Sequence, residues 1–497
     1  MHMLKNNLLS KLTGKLNNKL FTNSAWGVVS NILQNLLLSV FFIVIARQYS
    51  KVDFANYIIA NTIYSFVVGF STLGLGHWFI RELINTENRN ELVDKFFKIQ
   101  LYSGAVFYLV NIIISYSLYE SQLVRSLSLL IGINIIFDNI IYVIKYINIA
   151  QLEQKKSFVI LTVEALLKFL IACALFFWPI NILYLSLFLI LLRLITLNLF
   201  IKFGSSNEIS LKKILHVKVP FGEIKKIVAA NWSFIIIGSI SVIYWRIGNI
   251  LVSKILTLDD VASYEISYKL LSIGYILPVI VSSSIYPMLL NAYKESMKKM
   301  QTLYNRAFIA FSLYGLLSYT FIYSFADLVV PLLFGDKYDG TSYYCKEMFL
   351  VMLTFPTVFL QANVLITLNL EKLDMVCNAA SLLLNITLCI IGFHYVKSLS
   401  VVNYAIFFSF LAFHIIQDVV LIRRKVAGFK HVSAFYVLSA CIVLGYYFLA
   451  GYVQKEFLFF IFWAILALVG LLIFLQYNKK MKLQVSGENE NFTAPKE

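Results

Sequence analysis

Charged residues are scarce in this chain. They make up 14% of its 497 residues, whereas 60% are hydrophobic and the mean hydropathy is +0.78. A soluble chain of this length would carry roughly 25% charged residues, so a soluble globular protein is excluded and a polytopic membrane protein is indicated. Cysteine is scarce too: of five, Cys173, Cys377, Cys389 and Cys441 fall in apolar segments and only Cys345 near a segment edge, which argues against a disulfide framework or a metal site. There is no phosphate-cradling glycine loop, no metal-ligand spacing and no soluble stretch large enough to build a nucleotide site, so neither a cofactor nor a catalytic centre is expected, and ATP-driven transport by this chain alone is disfavoured. No cleavable signal peptide is expected either, because the first 23 residues are polar and lysine-rich.

What is abundant is long apolar runs. Fourteen segments of about 20 residues could each cross about 30 Å of hydrocarbon as a helix. They lie near 25–46, 54–76, 98–119, 125–149, 157–177, 180–202, 227–253, 262–289, 305–332, 344–368, 374–396, 401–422, 434–453 and 457–477. Trp178-Pro179 marks the tightest hairpin. Basic residues orient the array: with the N-terminus inside, cytoplasmic connections hold 28 lysines and arginines against nine outside. The net charge of +16 is therefore mostly topology, and nucleic acid is not an expected partner.

The chain also repeats a phrase. Ser50-Lys51-Val52-Asp53-Phe54-Ala55-Asn56-Tyr57 and Thr257-Leu258-Asp259-Asp260-Val261-Ala262-Ser263-Tyr264 both read hydroxyl, two variable residues, Asp, apolar, Ala, any residue, Tyr. A tryptophan lies upstream of each, Trp26 or Trp232, and Arg47 or Lys254 closes each preceding apolar run. The hydroxyl and the aspartate, Asp53 or Asp260, form a capping box at a helix start. Two copies 207 residues apart are read as duplicated halves.

The expected fold is thus an all-α polytopic membrane protein of about 14 transmembrane helices: two six-helix lobes in parallel pseudo-twofold repeat plus a C-terminal helix pair. The expected boundaries are a cytoplasmic amphipathic segment 1–23, an N-lobe 24–202, a cytoplasmic linker 203–226, a C-lobe 227–425, a C-terminal pair 426–478 and a cytoplasmic tail 479–497. Leu4, Leu8, Leu12, Leu16 and Leu20, with lysines between them, give the first segment its interfacial character.

Chemistry is expected where charge enters the bilayer. Asp138 and Lys145 in segment four, Glu164 and Lys168 in segment five, Arg193 in segment six and Arg246 in segment seven would each cost about 2.5–3.5 kcal/mol at mid-membrane if they faced lipid. Glu164 and Lys168 are four apart and can pair, while Arg193 and Arg246 have no acidic neighbour on their own helices. Four cations against two anions predict a cationic cavity suited to a phosphate or pyrophosphate, with Asp138 and Glu164 balancing charge or coupling an ion. His414 and Asp418 in segment twelve could relay protons, but the expected reading is interfacial residues near a helix end, with Asp418 answering Arg423. His394 lies near the end of segment eleven.

Several motifs follow one another in order: Asp53-Phe54-Ala55-Asn56-Tyr57, Leu73-Gly74-Leu75-Gly76 with Ile80-Arg81-Glu82, Tyr244-Trp245-Arg246, Pro287, and Pro331 through Tyr338. Together they resemble the O-antigen type of polysaccharide flippase, in the superfamily that also holds lipid II flippases and multidrug and toxin extruders. The resemblance spans nearly all of segments one to ten. It implies an alternating-access flippase of the bacterial inner membrane, both termini cytoplasmic, that moves an undecaprenyl-pyrophosphate-linked oligosaccharide such as an O-antigen or capsule repeat unit to the periplasmic leaflet. Membrane lipid and other polysaccharide-assembly proteins, a polymerase among them, are the implied partners. Arg246 matches the family's basic position, whereas Gly248 stands where relatives are often acidic, which weakens a carboxylate role there. The segments beyond twelve are similar to the lipid-binding pair of lipid II flippases. Competing readings are a small-molecule or drug antiporter of the same superfamily, a membrane polymerase or glycosyltransferase, disfavoured by short outer loops, and a major-facilitator transporter, whose signature between segments two and three is absent.

Overall fold

A computed structural model describes residues 26–204, 219–452 and 456–490. Their regular structure is helical throughout. Twelve of these helices are long and apolar enough to cross a membrane, and each coincides with an expected segment. Two further helices, Trp232–Ile255 and Glu456–Glu490 with its apolar stretch Phe460–Gln476, stand at the remaining two positions. The amphipathic segment 1–23 and most of the linker, residues 205–218, lie outside the described residues.

The chain divides into two compact units at Ala262–Ser263. The first contains α1 (Trp26–Gln48), α2 (Lys51–Ser71), α3 (Gly76–Asn85), α4 (Arg89–Leu118), α5 (Gln122–Gly132), α6 (Asn134–Ala150), α7 (Gln154–Leu175), α8 (Ile182–Phe203), α9 (Phe221–Ala230) and α10 (Trp232–Ile255). Segment four is therefore two helices, α5 and α6, meeting at Ile133. Segment seven, α10, packs against α2 and falls within the first unit. The close approach needs Gly69, where a Cβ would lie 2.9 Å from Val242 Cγ1.

The second unit begins within α11 (Leu258–Glu295), whose first turn belongs to the first unit and whose remainder belongs to the second. It contains α12 (Met297–Phe334), α13 (Thr341–Met348), α14 (Phe355–Thr367), α15 (Glu371–Tyr395), α16 (Leu399–Arg423), α17 (Phe429–Tyr452) and α18 (Glu456–Glu490). Short 3-10 turns, Asp336–Tyr338 and Phe349–Leu353, flank α13. The last two helices dock on α12, through Phe435 on Phe308 and through Trp463 Nε1, which donates to the Leu317 carbonyl at 3.0 Å.

Both helix starts carry the hydroxyl cap, and the second closes the full box. Asp53 N donates to Ser50 Oγ at 3.0 Å and Asp260 N to Thr257 Oγ1 at 3.2 Å, while the Thr257 amide donates back to Asp260 Oδ2 at 3.1 Å. Phe54, Ala55, Val261 and Ala262 are fully buried behind them. The two copies also touch, Lys51 Nζ lying 3.3 Å from Asp259 Oδ2.

Burial is reversed relative to a soluble domain. Large apolar side chains such as Ile113, Leu383 and Leu472 point outward, half to two-thirds exposed, while Asn139, Gln100, Ser71, Gln361, Asn403 and His414 have no exposed surface. Lipid is as apolar as leucine, so helix association draws on close packing and interhelical hydrogen bonds. In the first unit Asn139 supplies several of these. Its Oδ1 accepts from Ser71 Oγ at 2.7 Å, and its Nδ2 donates to the carbonyls of Ser71 and Gln100, both at 3.1 Å. Ser103 Oγ adds a bond to the Ser71 carbonyl at 2.5 Å. This pin holds α2, α4 and α6 together and fixes the rotation of α6, and hence the direction of neighbouring Asp138.

Candidate functional site

The charges that sequence placed on three separate spans converge in the first unit. Arg193, from α8, reaches across to α6, where Nε donates to Asp138 Oδ1 at 2.7 Å and Nη2 binds the same oxygen. Its Nη1 pairs with Glu164 Oε2 on α7. The other Glu164 oxygen, Oε1, lies 2.8 Å from Lys168 Nζ one turn on, and Asp138 Oδ2 accepts from the Tyr64 hydroxyl on α2. The carboxylates are enclosed, Glu164 at 6% and Asp138 at 12% side-chain exposure, while Arg193 at 20% and Lys168 at 25% keep a face open.

These contacts have a direct electrostatic reading. In a medium without water each ion must find its counterion in protein, and Arg193 satisfies two carboxylates at once because its planar fork presents separated donors. Lys145, half-buried on α6 two turns from Asp138, makes no hydrogen bond or ion pair among the described residues. Counting Asp138, Glu164, Arg193, Lys168 and Lys145 at their ordinary charges, the group carries one net positive charge, and that excess resides on Lys145. Arg246 is half-buried on α10, which packs on α2, the helix that carries Tyr64.

The predicted pair Glu164–Lys168 forms, and Arg193, which has no acidic neighbour along its own helix, gains two from other helices. Tyr64 and Asn139 were missed. Their roles depend on which faces of α2 and α6 meet, and nothing in local spacing signals that. Asp53 and Asp260 sit at the helix starts as capping residues.

In the second unit one expectation is overturned. Asp418 does not answer Arg423; both Asp418 and His414 are buried, at 2% and 0%, and bind Gln361, Thr357 and Tyr436. The helix end lies beyond them, and α17 covers the face that a span-edge reading leaves open. His394 is exposed at the end of α15. Among the described residues no cluster of His, Cys, Asp and Glu is arranged to hold a metal ion.

Three comparisons bear on this arrangement. No curated protein matches the sequence. Among solved structures, the chain resembles the lipid II flippase MurJ in an inward closed conformation, with 14% identity and a TM-score of 0.65 over 92% of this chain and 98% of that one. It also resembles an inward-facing multidrug resistance MATE family transporter of the MOP superfamily, with 12% identity and a TM-score of 0.65 over 81% and 95%. The MATE multidrug transporter DinF-BH, in a ligand complex, follows at 14% identity and a TM-score of 0.58 over 82% and 96%. These likenesses establish the fold. A family model described as polysaccharide biosynthesis protein matches residues 44–343, which span α2 through α12, the charge cluster, and both copies of the repeated phrase, and the chain belongs to that family.

Proposed function

We propose that this protein is a flippase that carries an undecaprenyl-pyrophosphate-linked oligosaccharide, an O-antigen or capsule repeat unit, from the cytoplasmic to the periplasmic leaflet of a bacterial inner membrane. The observation that carries the reading is the excess of positive charge held inside a bilayer-spanning bundle of a polysaccharide biosynthesis family. A pyrophosphate needs cations, and a lipid-linked sugar needs a membrane path, which this fold supplies to the lipid II flippase. The likeness to that flippase also extends further along this chain, 92% against 81% for the MATE transporter, a difference comparable to the C-terminal helix pair.

In this reading Lys145 and Arg246 make the first contact with the pyrophosphate. Arg193 and Lys168 can shift toward it because each keeps an open face. Asp138 and Glu164 hold those cations in place until substrate arrives and exchanges with them as counterion. Alternation between two lobes carries the lipid head across, and α17 with α18 offers an apolar flank for the prenyl tail. A polymerase or another assembly protein would receive the product.

The test is a strain that depends on this protein for surface polysaccharide. Arg246→Ala should abolish export and accumulate lipid-linked repeat unit in the cytoplasmic leaflet while the protein reaches the membrane in normal amount. Arg246→Lys should retain part of the activity, because charge survives while bidentate geometry is lost. Normal export by Arg246→Ala together with Lys145→Ala would defeat the cationic mechanism. Loss of drug resistance with unaltered polysaccharide would favour the antiporter reading.

A further inference from the structure

His414 and Asp418 lie one turn apart on α16, sealed from the surface, and the charge cluster of the first unit does not involve them. Their hydrogen bonds can be counted proton by proton. His414 Nε2 is 2.8 Å from Thr357 Oγ1, and that hydroxyl is 2.7 Å from the Thr354 carbonyl. A hydroxyl has one proton and a carbonyl can only accept, so the threonine proton is committed and Nε2 must donate. His414 Nδ1 is 2.6 Å from the Tyr436 hydroxyl and 3.0 Å from Asp418 Oδ2, and the same hydroxyl is 2.7 Å from that Oδ2. If Tyr436 gives its proton to the carboxylate, Nδ1 must donate as well. The ring is then an imidazolium facing its counterion. The alternative is a proton on Oδ2, with Tyr436 turned to donate to Nδ1. Both arrangements hold the same number of protons: one more than a neutral imidazole beside a carboxylate.

We propose that His414 and Asp418 form a proton-binding site that fastens α17 to the second unit while it is occupied. The proposal goes beyond the flippase reading and does not rest on it. The surroundings make the extra proton necessary. On α14 Gln361 Nε2 donates to Asp418 Oδ1 at 2.6 Å, on α12 the Tyr304 hydroxyl lies 3.4 Å from that amide, and on α17 Tyr436 and Phe435 close the site. On α15 Asp374 accepts from Gln417 at 3.0 Å and adds negative, not positive, potential, while Glu371 and Lys372 of the same helix are exposed. Among the described residues no lysine or arginine pairs with Asp418. Without the extra proton Asp418 is a buried, unbalanced carboxylate, and one acceptor-to-acceptor contact opens between the ring, Tyr436 and Oδ2. Tyr436 is the group through which α17 joins this network, so release of the proton unfastens the helix there, while Phe435 and Val432 still pack. Occupancy of the site then sets how firmly the C-terminal pair is docked.

Full-length protein in lipid nanodiscs, labelled with 15N-histidine, tests the site near neutral pH. One histidine should show both ring nitrogens protonated, and that signal should vanish in His414→Gln. A neutral ring accompanied by a carboxylic-acid carbonyl stretch that disappears in Asp418→Asn would support the site equally. A neutral ring with an ionised Asp418 overturns it. Hydrogen exchange reads the docking: Tyr436→Phe, which keeps the ring packed, should speed exchange of the Val432–Ser439 amides about ten-fold, the weight of one hydrogen bond to a charged group. Asp418→Ala, which removes the carboxyl that Tyr436 meets, should do so at least as much. Exchange unchanged in both variants overturns the fastening role, even with the proton in place.

Discussion

Replacing Arg193 by methionine keeps an unbranched apolar stem and removes the guanidinium, and the contacts of the site determine how much stability is lost. Glu164 retains Lys168 at 2.8 Å, but Asp138 keeps only the Tyr64 hydroxyl among the described residues. Asp138 is then an ionised group, 12% exposed, without a counterion inside a helical bundle. Stripping one partner from a buried ion pair costs about 3–5 kcal/mol, and about 4 kcal/mol is roughly a thousand-fold in the ratio of folded to unfolded protein. Arg193→Met should accordingly lower membrane abundance and shorten the lifetime of monodisperse protein on heating in detergent. Asp138→Asn added to it should restore more than half of the loss. Glu164→Gln added instead should restore little, because it frees Lys168 as it neutralises Glu164. If Arg193→Met is as stable as the parent, or if both second changes rescue equally, the pairing scheme is wrong. An export defect in Arg193→Met therefore carries meaning only beside the rescued double variant.

Among the described residues Lys145 has no ion pair to strand, so Lys145→Met should shift stability by less than about 0.5 kcal/mol while cutting polysaccharide export; a thermal melt and an export assay on the same membranes separate the two. Asn139→Leu removes three hydrogen bonds from the joint of α2, α4 and α6 and should cost about 3 kcal/mol, seen as a lower melting temperature, with export falling in proportion to folded protein. In a cysteine-free background, an impermeant thiol reagent applied to intact cells should label a cysteine placed at Asp336 and miss one placed at Lys213. Labelling at Lys213 would reverse the assigned orientation.

Sequence alone determined the class and most of the architecture, because a bilayer imposes its constraint locally. An apolar run of 20 residues has no option but a helix, since every backbone amide must be satisfied within the segment. Twelve of the fourteen expected spans were therefore legible one by one, as were the two hydroxyl caps, each formed by residues three apart. The i, i+4 pair Glu164–Lys168 belongs to the same local class. The break at Ile133 was not legible, because α5 and α6 together still read as one apolar run.

Tertiary structure decided which charges answer which. Arg193 lies 55 residues from Asp138 and 29 from Glu164, and its pairing depends on helix rotations fixed elsewhere, by Asn139 and by the packing of α6 on α7 and α8. The misreading of Asp418 has the same origin. Along the sequence Arg423 is its nearest cation, but burial is a property of neighbours, and only the docked α17, with Tyr436 and Phe435, turns that stretch of α16 into an interior. Polar residues in a membrane helix announce that they must be satisfied; the partner that satisfies them is chosen by helices that are distant in sequence and meet only in the folded bundle.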